Sequence, residues 1–225
     1  MTRQKWVATA ACLLLGLVPT PAADIPELVR RVKPAIVELF TFDSQGRPLA
    51  SGSGFFASSM GVVITNWHVI DGATEVLART LNGQIYHYTG IRKKVGDLDV
   101  AALGFQAKNV PYLEVDPDAE VVEGQRILVI GSPEGLEGTV SDGLVSAIRA
   151  NGELIQITAP VSHGSSGSPV LNDDGKVIGV ATIVFREGQN LNFAISARAI
   201  AEVVNASLAR HPGPAKETAP SAISP

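Results

Sequence analysis

Three short segments of the chain hold residue types that could together break an acyl bond. A histidine, His68, follows an apolar run in T-N-W-H-V-I at 65–70, two aspartates begin D-L-D-V-A-A-L at 97–103, and three serines lie among glycines in H-G-S-S-G-S-P-V-L at 163–171. A serine hydroxyl becomes a strong nucleophile beside a base, and a histidine base needs an acid to hold its tautomer. Taken singly, the segments are more typical of a structural histidine, a solvated strand end and a Gly/Ser loop, so the hypothesis depends on all three.

The order of the three segments narrows the class of hydrolase. Histidine comes first, aspartate second and serine third, which is the order of one of the convergent Ser-His-Asp arrangements. The α/β-hydrolases place the serine first, and their G-x-S-x-G elbow would need a glycine where this chain has Ser168. The sequence therefore argues against an α/β-hydrolase.

The remainder of the chain predicts many short strands. Its 225 residues include 22 glycines and 14 prolines, and long helical blocks are missing from the middle, which argues against a helix bundle. Six apolar runs bounded by turn residues occupy about 34–105 and six more about 118–196, with a Pro-bearing linker at 106–118. We predict an all-β fold of two six-stranded antiparallel β-barrels, because closure removes the exposed strand edges.

This division of the chain also predicts where the site lies. His68 and the two aspartates belong to the first barrel and the three serines to the second, so the active site is expected in the cleft between the barrels. Short helices are predicted at both ends of the domain, which spans 24–210. The N-terminal helix covers 24–33, with a proline at an early position, and the C-terminal helix covers 196–209, with Ser196 as its N-cap.

Residues 1–23 have the pattern of a secretory signal peptide. A basic start precedes an apolar run of roughly a dozen residues and a series of small residues, and we predict cleavage after Ala22 or Ala23. The apolar run is short for a membrane span, so no stable span is expected after cleavage. The alternatives are an uncleaved anchor and a lipoprotein attached at Cys12. Cleavage would remove the single cysteine, and the exported protein, periplasmic or extracellular, would contain no disulfide.

The charge of the chain argues against a nucleic-acid partner. The 18 Lys and Arg residues are outnumbered by 22 Asp and Glu residues, which gives a formal charge of -4, and loss of Arg3 and Lys5 with the signal would change it to -6. There is thus no basic excess to neutralise phosphates. The 45% hydrophobic content is typical of a globular chain, whereas the Pro-rich residues 211–225 predict a disordered tail. We expect neither a cofactor nor a metal.

The motifs in this order resemble those of the trypsin-like serine proteases, most closely the protease domain of the HtrA/Deg type. The resemblance covers about residues 26–205 and includes T-N-W-H-V-I, D-V-A-A-L and G-S-S-G-S-P, together with I-G-S-P-E-G-L-E-G-T-V-S-D-G-L-V-S-A-I-R and N-F-A-I-S. It implies that Ser166 is the nucleophile, His68 the general base and Asp99 the acid that orients the histidine. The backbone amides of Gly164 and Ser166 would form the oxyanion hole.

Some features depart from the family's pattern. Ser168 stands where the second glycine of G-x-S-G-G-P is usual, which puts the local geometry of the serine loop in question. No PDZ domain follows the protease-like part of this sequence, so the peptide sensing and assembly of HtrA proteins are not carried over. His163 precedes Ser166 by three residues and is expected to be a solvent-facing loop residue.

The resemblance also predicts the specificity. In trypsin-type relatives an acid six residues before the nucleophile selects Lys or Arg, whereas this chain has Pro160 at that position. We assign the substrate pocket to Pro160, Val161, Asn192 and Phe193. Because burial of an unpaired charge in an apolar pocket is costly, we expect cleavage after small or medium aliphatic residues.

The residue just before Ser166 bears on how the activity would be controlled. Zymogen-type relatives carry an aspartate just before the nucleophile that pairs with a new N-terminus, and this chain has Ser165 there, so we expect no propeptide-release switch. Regulation would act by ordering active-site loops, such as 134–143. The predicted function is a serine endopeptidase acting on polypeptides, misfolded exported proteins among them. The alternative is a catalytically silent member of the same fold that binds peptides or partners.

Overall fold

The structure is a computed structural model that describes residues 24–94, 96–132, 138–162, 164–186 and 189–210. Several sequence predictions lie outside the described residues: the signal peptide at 1–23, the exposure of His163, the tail at 211–225 and part of the loop at 134–143.

The described residues form two closed β-barrels of six antiparallel strands each, as the sequence predicts. The strands of the first barrel are β1 (Ile36–Phe42), β2 (Pro48–Phe56), β3 (Val62–Thr65), β4 (Glu75–Thr80), β5 (Ile85–Lys94) and β6 (Ala101–Phe105). The strands of the second are β7 (Arg126–Gly131), β8 (Thr139–Arg149), β9 (Leu154–Ile157), β10 (Pro169–Leu171), β11 (Val177–Arg186) and β12 (Gln189–Ser196). Around the first barrel the order is β1-β2-β3-β6-β5-β4, and the second repeats it as β7-β8-β9-β12-β11-β10.

Side chains that alternate along the strands pack either inside one barrel or between the two barrels. On β1, Val37 belongs to the apolar cluster of the first barrel, whereas its neighbour Ile36 belongs to a cluster shared by both barrels. Phe56 and Phe55 on β2 divide in the same way, and Leu128 on β7 contributes to the shared cluster from the second barrel. The strands near the junction are therefore buried on both faces.

Two terminal helices complete the shared cluster. Helix α1 (Ile25–Val32) has a proline in its first turn and buries Leu28 and Val32, which are one turn apart. A short helix, α2 (Trp67–Ile70), follows β3, and α3 (Ala197–Arg210) ends the described chain. The hydroxyl of Ser196 accepts the Ala199 amide at 3.2 Å, which is the predicted N-cap.

No helix within the described ranges combines the length and the apolar character that crossing a membrane requires.

The connection between the barrels is more ordered than the predicted linker at 106–118. The Leu113 amide donates to the Phe56 carbonyl of the first barrel at 2.9 Å. The Val177 amide of the second barrel donates to the Glu114 carbonyl at 2.8 Å, and the Asp116 amide donates to the Val177 carbonyl at 3.0 Å. These backbone bonds join both barrels to one segment and fix their arrangement, which the weak sequence pattern does not reveal.

Candidate active site

His68 lies where the first barrel ends a buried strand and begins a short helix. Strand β3 is fully buried, and α2 places His68 in its first turn with half of its side chain exposed. Asn66, between the two elements, is fully buried and donates its Nδ2 to the Asp99 carbonyl oxygen at 2.7 Å. The histidine turn and the aspartate segment are thereby held together by the backbone as well as by side chains.

The carboxylate of Asp99 contacts the His68 ring. The distance from His68 Nδ1 to Asp99 Oδ2 is 2.6 Å, and the His68 amide donates to Asp99 Oδ1 at 2.8 Å. The hydroxyl of Thr182, on β11 of the other barrel, donates to Oδ2 at 3.3 Å. A carboxylate on Nδ1 fixes the tautomer in which Nδ1 carries the proton and Nε2 presents a lone pair.

The same contacts determine the ionisation of Asp99. Burial raises the pKa of its carboxyl, but hydrogen bonds from the His68 ring and amide, the charge of His68 and the Thr182 hydroxyl outweigh burial, and the pKa lies below its ordinary value. The carboxylate is therefore ionised where an imidazole could act as a base. Asp97, the other aspartate of the motif, is exposed, and the His68 ring contacts Asp99 instead.

The three serines lie in a tight loop before β10. Ser166 is 7% exposed, and the loop turns at Gly164 and Gly167, whose φ angles are +86° and +88°. A Cβ at Gly167 would lie 2.1 Å from the Ser53 carbonyl oxygen, so only glycine fits there. Among the described residues, the amides of Gly164 and Ser166 donate to no backbone carbonyl.

The serine loop is anchored to both barrels. The Ser166 carbonyl accepts the Ser53 amide of β2 at 2.9 Å, and the Gly164 carbonyl accepts the Ser53 hydroxyl at 2.6 Å. On the other side, the Gly167 amide donates to the Ala181 carbonyl of β11 at 3.0 Å. The two Ser53 bonds cross the junction of the barrels, where Asp99, the partner of His68, also accepts a hydrogen bond from Thr182 of the second barrel.

Ser168, which departs from the family's glycine, lies inside the protein. It is fully buried, and its hydroxyl has no hydrogen-bond partner among the described residues. A Cβ added at Gly131 would lie 2.1 Å from this hydroxyl, so the absence of a side chain at Gly131 leaves room for it. The extra Cβ and hydroxyl are thus accommodated sterically, while the hydroxyl remains unsatisfied.

The four residues assigned to the substrate pocket differ in exposure. Pro160 is exposed, whereas Val161 and Phe193 are 9% and 4% exposed. Asn192 donates its Nδ2 to the Ala159 carbonyl oxygen at 3.0 Å, which joins β12 to the segment before the serine loop. All four side chains are uncharged.

Three residues at the site were not identified from the sequence. Ser53, between two glycines on β2, and Asn66, just before His68, are both in short polar interruptions of apolar runs, and this could have marked them. Thr182 stands in an apolar strand with no such signal. All three act across long sequence separations, which only the closed barrels bring together. Across the described residues, no group of three or more His, Cys, Asp or Glu side chains could hold a metal ion.

Comparison with known proteins finds the same class of domain. A family model described as a trypsin-like peptidase domain matches residues 52–180. The chain is 36% identical over 163 residues to HhoB of Synechocystis sp., covering 66% of this chain and 38% of that protein. It is 30% identical over 213 residues to the mitochondrial serine protease HTRA2 of Bos taurus, covering 85% of this chain and 46% of that protein.

A solved structure has the same fold. The crystal structure of a serine endoprotease from Yersinia pestis matches with a TM-score of 0.69 and 31% identity, covering 86% of this chain and 68% of that one. The chain spans less than half the length of the two curated relatives, 38% and 46%. The similarity therefore concerns the two-barrel domain.

Proposed function

The chain belongs to the trypsin-like peptidase family, with serine proteases of the HtrA type among its relatives, and from this membership we propose that it is a serine endopeptidase. Ser166 is the nucleophile, His68 the general base and Asp99 the group that orients it. The observation that carries this proposal is the 2.6 Å contact between His68 Nδ1 and Asp99 Oδ2 at the junction that also holds the serine loop.

The reaction proceeds through an acyl-enzyme. Ser166 Oγ attacks the carbonyl carbon of the peptide bond while its proton moves to His68 Nε2. The carbonyl oxygen becomes an anion that accepts hydrogen bonds from the Gly164 and Ser166 amides, which is supported by their lack of backbone partners in the described chain. The C–N bond then breaks, the amine leaves with the proton from His68, and a water molecule hydrolyses the ester by the same route.

Asp99 acts throughout as an ionised group. Its lowered pKa keeps the carboxylate negative beside the imidazolium that forms during each step. The Thr182 hydroxyl supports it from the second barrel. Docking of the two barrels is therefore needed for the base as well as for the serine loop.

The substrate is a polypeptide cleaved after a small or medium aliphatic residue. Support comes from the uncharged residues assigned to the pocket, Pro160, Val161, Asn192 and Phe193, of which Val161 and Phe193 are buried. A profile over a peptide library should favour Ala, Val or Leu before the cleaved bond, because burial of an unpaired Lys or Arg is costly. A profile dominated by Lys or Arg would contradict this specificity.

We further propose that the protein is exported and acts on misfolded exported proteins. The sequence pattern of residues 1–23 supports this localisation. Protein isolated from the periplasm or the medium should begin at Ala23 or Asp24 when its N-terminus is sequenced. A retained residue 1 would indicate an anchor instead, and a lipid on Cys12 would indicate a lipoprotein.

Digestion of casein by the purified protein tests the proposed reaction. Wild type should release peptides, whereas Ser166→Ala should retain its melting temperature and lose about a million-fold in kcat, by analogy with a convergent triad. Ser51→Ala, an exposed serine on β2, is the matched control and should be as active as wild type. Equal digestion by wild type and Ser166→Ala would refute the proposal, and a wild type that binds casein without cleaving it would favour the catalytically silent alternative.

A further inference from the structure

We propose that Ser53 is a positioning residue that sets the geometry of the oxyanion hole from the opposite barrel, an inference that rests on the proposed function. Ser53 is fully buried on β2, in the first barrel, whereas the amides of the oxyanion hole belong to the serine loop of the second. The sequence shows only a serine between two glycines there.

Every polar group of Ser53 is engaged at this junction. Its hydroxyl donates to the Gly164 carbonyl at 2.6 Å and accepts the Ser132 amide at 2.9 Å. Its amide donates to the Ser166 carbonyl at 2.9 Å, and its carbonyl accepts the Thr65 hydroxyl at 2.7 Å. One side chain therefore links β2, the end of β7 and the serine loop.

The Ser53 hydroxyl holds the peptide group that lies between the two amides of the proposed oxyanion hole. The Gly164 carbonyl and the Ser165 amide are the two polar ends of one peptide group. The first accepts from the Ser53 hydroxyl, and the second donates to the Ser162 carbonyl at 2.9 Å. This peptide group lies in the chain between the Gly164 amide and the Ser166 amide. Fixing it at both ends fixes the direction of one amide relative to the other.

A fixed peptide group matters here because the adjoining residue is glycine. Gly164 has a φ of +86°, and glycine occupies positive and negative φ about equally well. Without the Ser53 hydroxyl, this peptide group would be held at the Ser165 amide alone, and easier rotation at Gly164 would change the direction of one amide relative to the other. Stabilisation of an oxyanion depends on donors that are oriented before the charge develops. Ser53 supplies that orientation without touching the substrate.

The test compares Ser53→Ala with wild type in two independent measurements. With a peptide substrate, kcat should fall about 10- to 100-fold while KM changes less than about two-fold, because the oxyanion exists in the transition state and not in the bound substrate. By NMR, hydrogen exchange of the Ser165 amide should become faster, since its peptide group is released at one end. Ser58→Ala is the matched control: this buried hydroxyl accepts two amides away from the site, so its loss should lower the melting temperature and leave kcat unchanged.

Ser53→Cys provides a second variant if the alanine change prevents folding. A thiol is a weaker donor than a hydroxyl, so its kcat should also be reduced, and by less than that of Ser53→Ala. Wild-type kcat and wild-type Ser165 exchange in the folded variants would overturn the inference, as would an equal fall in kcat in Ser58→Ala. A wild type that cleaves no peptide would refute the proposed function alone, and faster Ser165 exchange in Ser53→Ala would still support the positioning role.

Discussion

At the scale of single residues, the two aspartates of the motif should differ sharply in their effect on kcat. Asp99→Asn should fold normally and lose about ten-thousand-fold in kcat, as a chymotrypsin-type enzyme does, because an amide facing Nδ1 no longer fixes the productive tautomer. Asp97→Asn is the matched control, since Asp97 is an exposed carboxylate two residues away. Steady-state kinetics on one peptide substrate measure both variants. Loss of activity in Asp97→Asn with retention in Asp99→Asn would reverse the assignment.

The pH dependence of kcat/KM follows from the proposed roles of His68 and Asp99. The histidine must be neutral to accept the serine proton, so kcat/KM should fall as the pH is lowered and the base becomes protonated. Asp99, whose pKa is lowered, stays ionised at pH values where an imidazole could act as a base. Its contribution to folding stability is present above the pKa it has in the unfolded chain and is lost as the pH falls through the lowered folded value. A kcat/KM profile that stays flat from pH 8 to pH 5 would contradict the role of a histidine base.

At the scale of elements, the serine loop depends on a glycine that no other residue can replace. Gly167→Ala places a Cβ 2.1 Å from the Ser53 carbonyl oxygen at a φ of +88°, whereas Gly83→Ala, at a φ of +85°, has nothing within 4 Å. The control should cost about 1–2 kcal/mol for its backbone conformation alone, and Gly167→Ala should cost several kcal/mol more or fail to fold. Urea unfolding measures both. Equal destabilisation would mean that the loop moves away from β2 without cost.

In the same loop, removal of the unsatisfied Ser168 hydroxyl should not lower the stability, in contrast to the change at Gly167. Ser168→Ala removes a buried hydroxyl without a partner among the described residues, so stability should stay the same or rise by up to about 1 kcal/mol. Ser58→Ala removes a buried hydroxyl that accepts two amides and should be destabilising by about 1–3 kcal/mol. Thermal unfolding of Ser168→Ala and Ser58→Ala measures the two changes in stability. A large loss of stability in Ser168→Ala would show that its hydroxyl is bonded after all.

At the scale of the whole molecule, the shared apolar cluster predicts that the two barrels unfold together. Leu128 lies in that cluster on β7 of the second barrel, and Leu128→Ala should cost about 2–5 kcal/mol. Trp67 is the sole tryptophan after residue 6, and it reports on the first barrel. In Leu128→Ala, Trp67 fluorescence and the circular dichroism of the entire chain should therefore report the same urea midpoint of unfolding. That midpoint should be lower than in wild type. Separate transitions would show that the barrels are independent.

The parts of this molecule that the sequence predicts are those with a local signal. Alternating apolar runs bounded by glycine and Asn-Gly turns predict two barrels, and the motifs around His68 and Ser166 predict the candidate site. The contacts of Ser53 and Thr182 with the other barrel could not be predicted, because they arise only when the barrels dock. The order of the segment at 106–118 comes from backbone bonds, which carry no side-chain pattern.

Labelling with a fluorophosphonate shows whether Ser166 is activated by His68, because this reagent modifies an activated serine and needs no knowledge of the substrate. Wild-type protein at pH 8 should take up one probe, and mass spectrometry of the digested protein should locate it on Ser166. His68→Ala should show no labelling under the same conditions, and Ser51→Ala should be labelled as wild type is. Absence of labelling in folded wild-type protein, or labelling of a serine other than Ser166, would show that Ser166 is not the nucleophile.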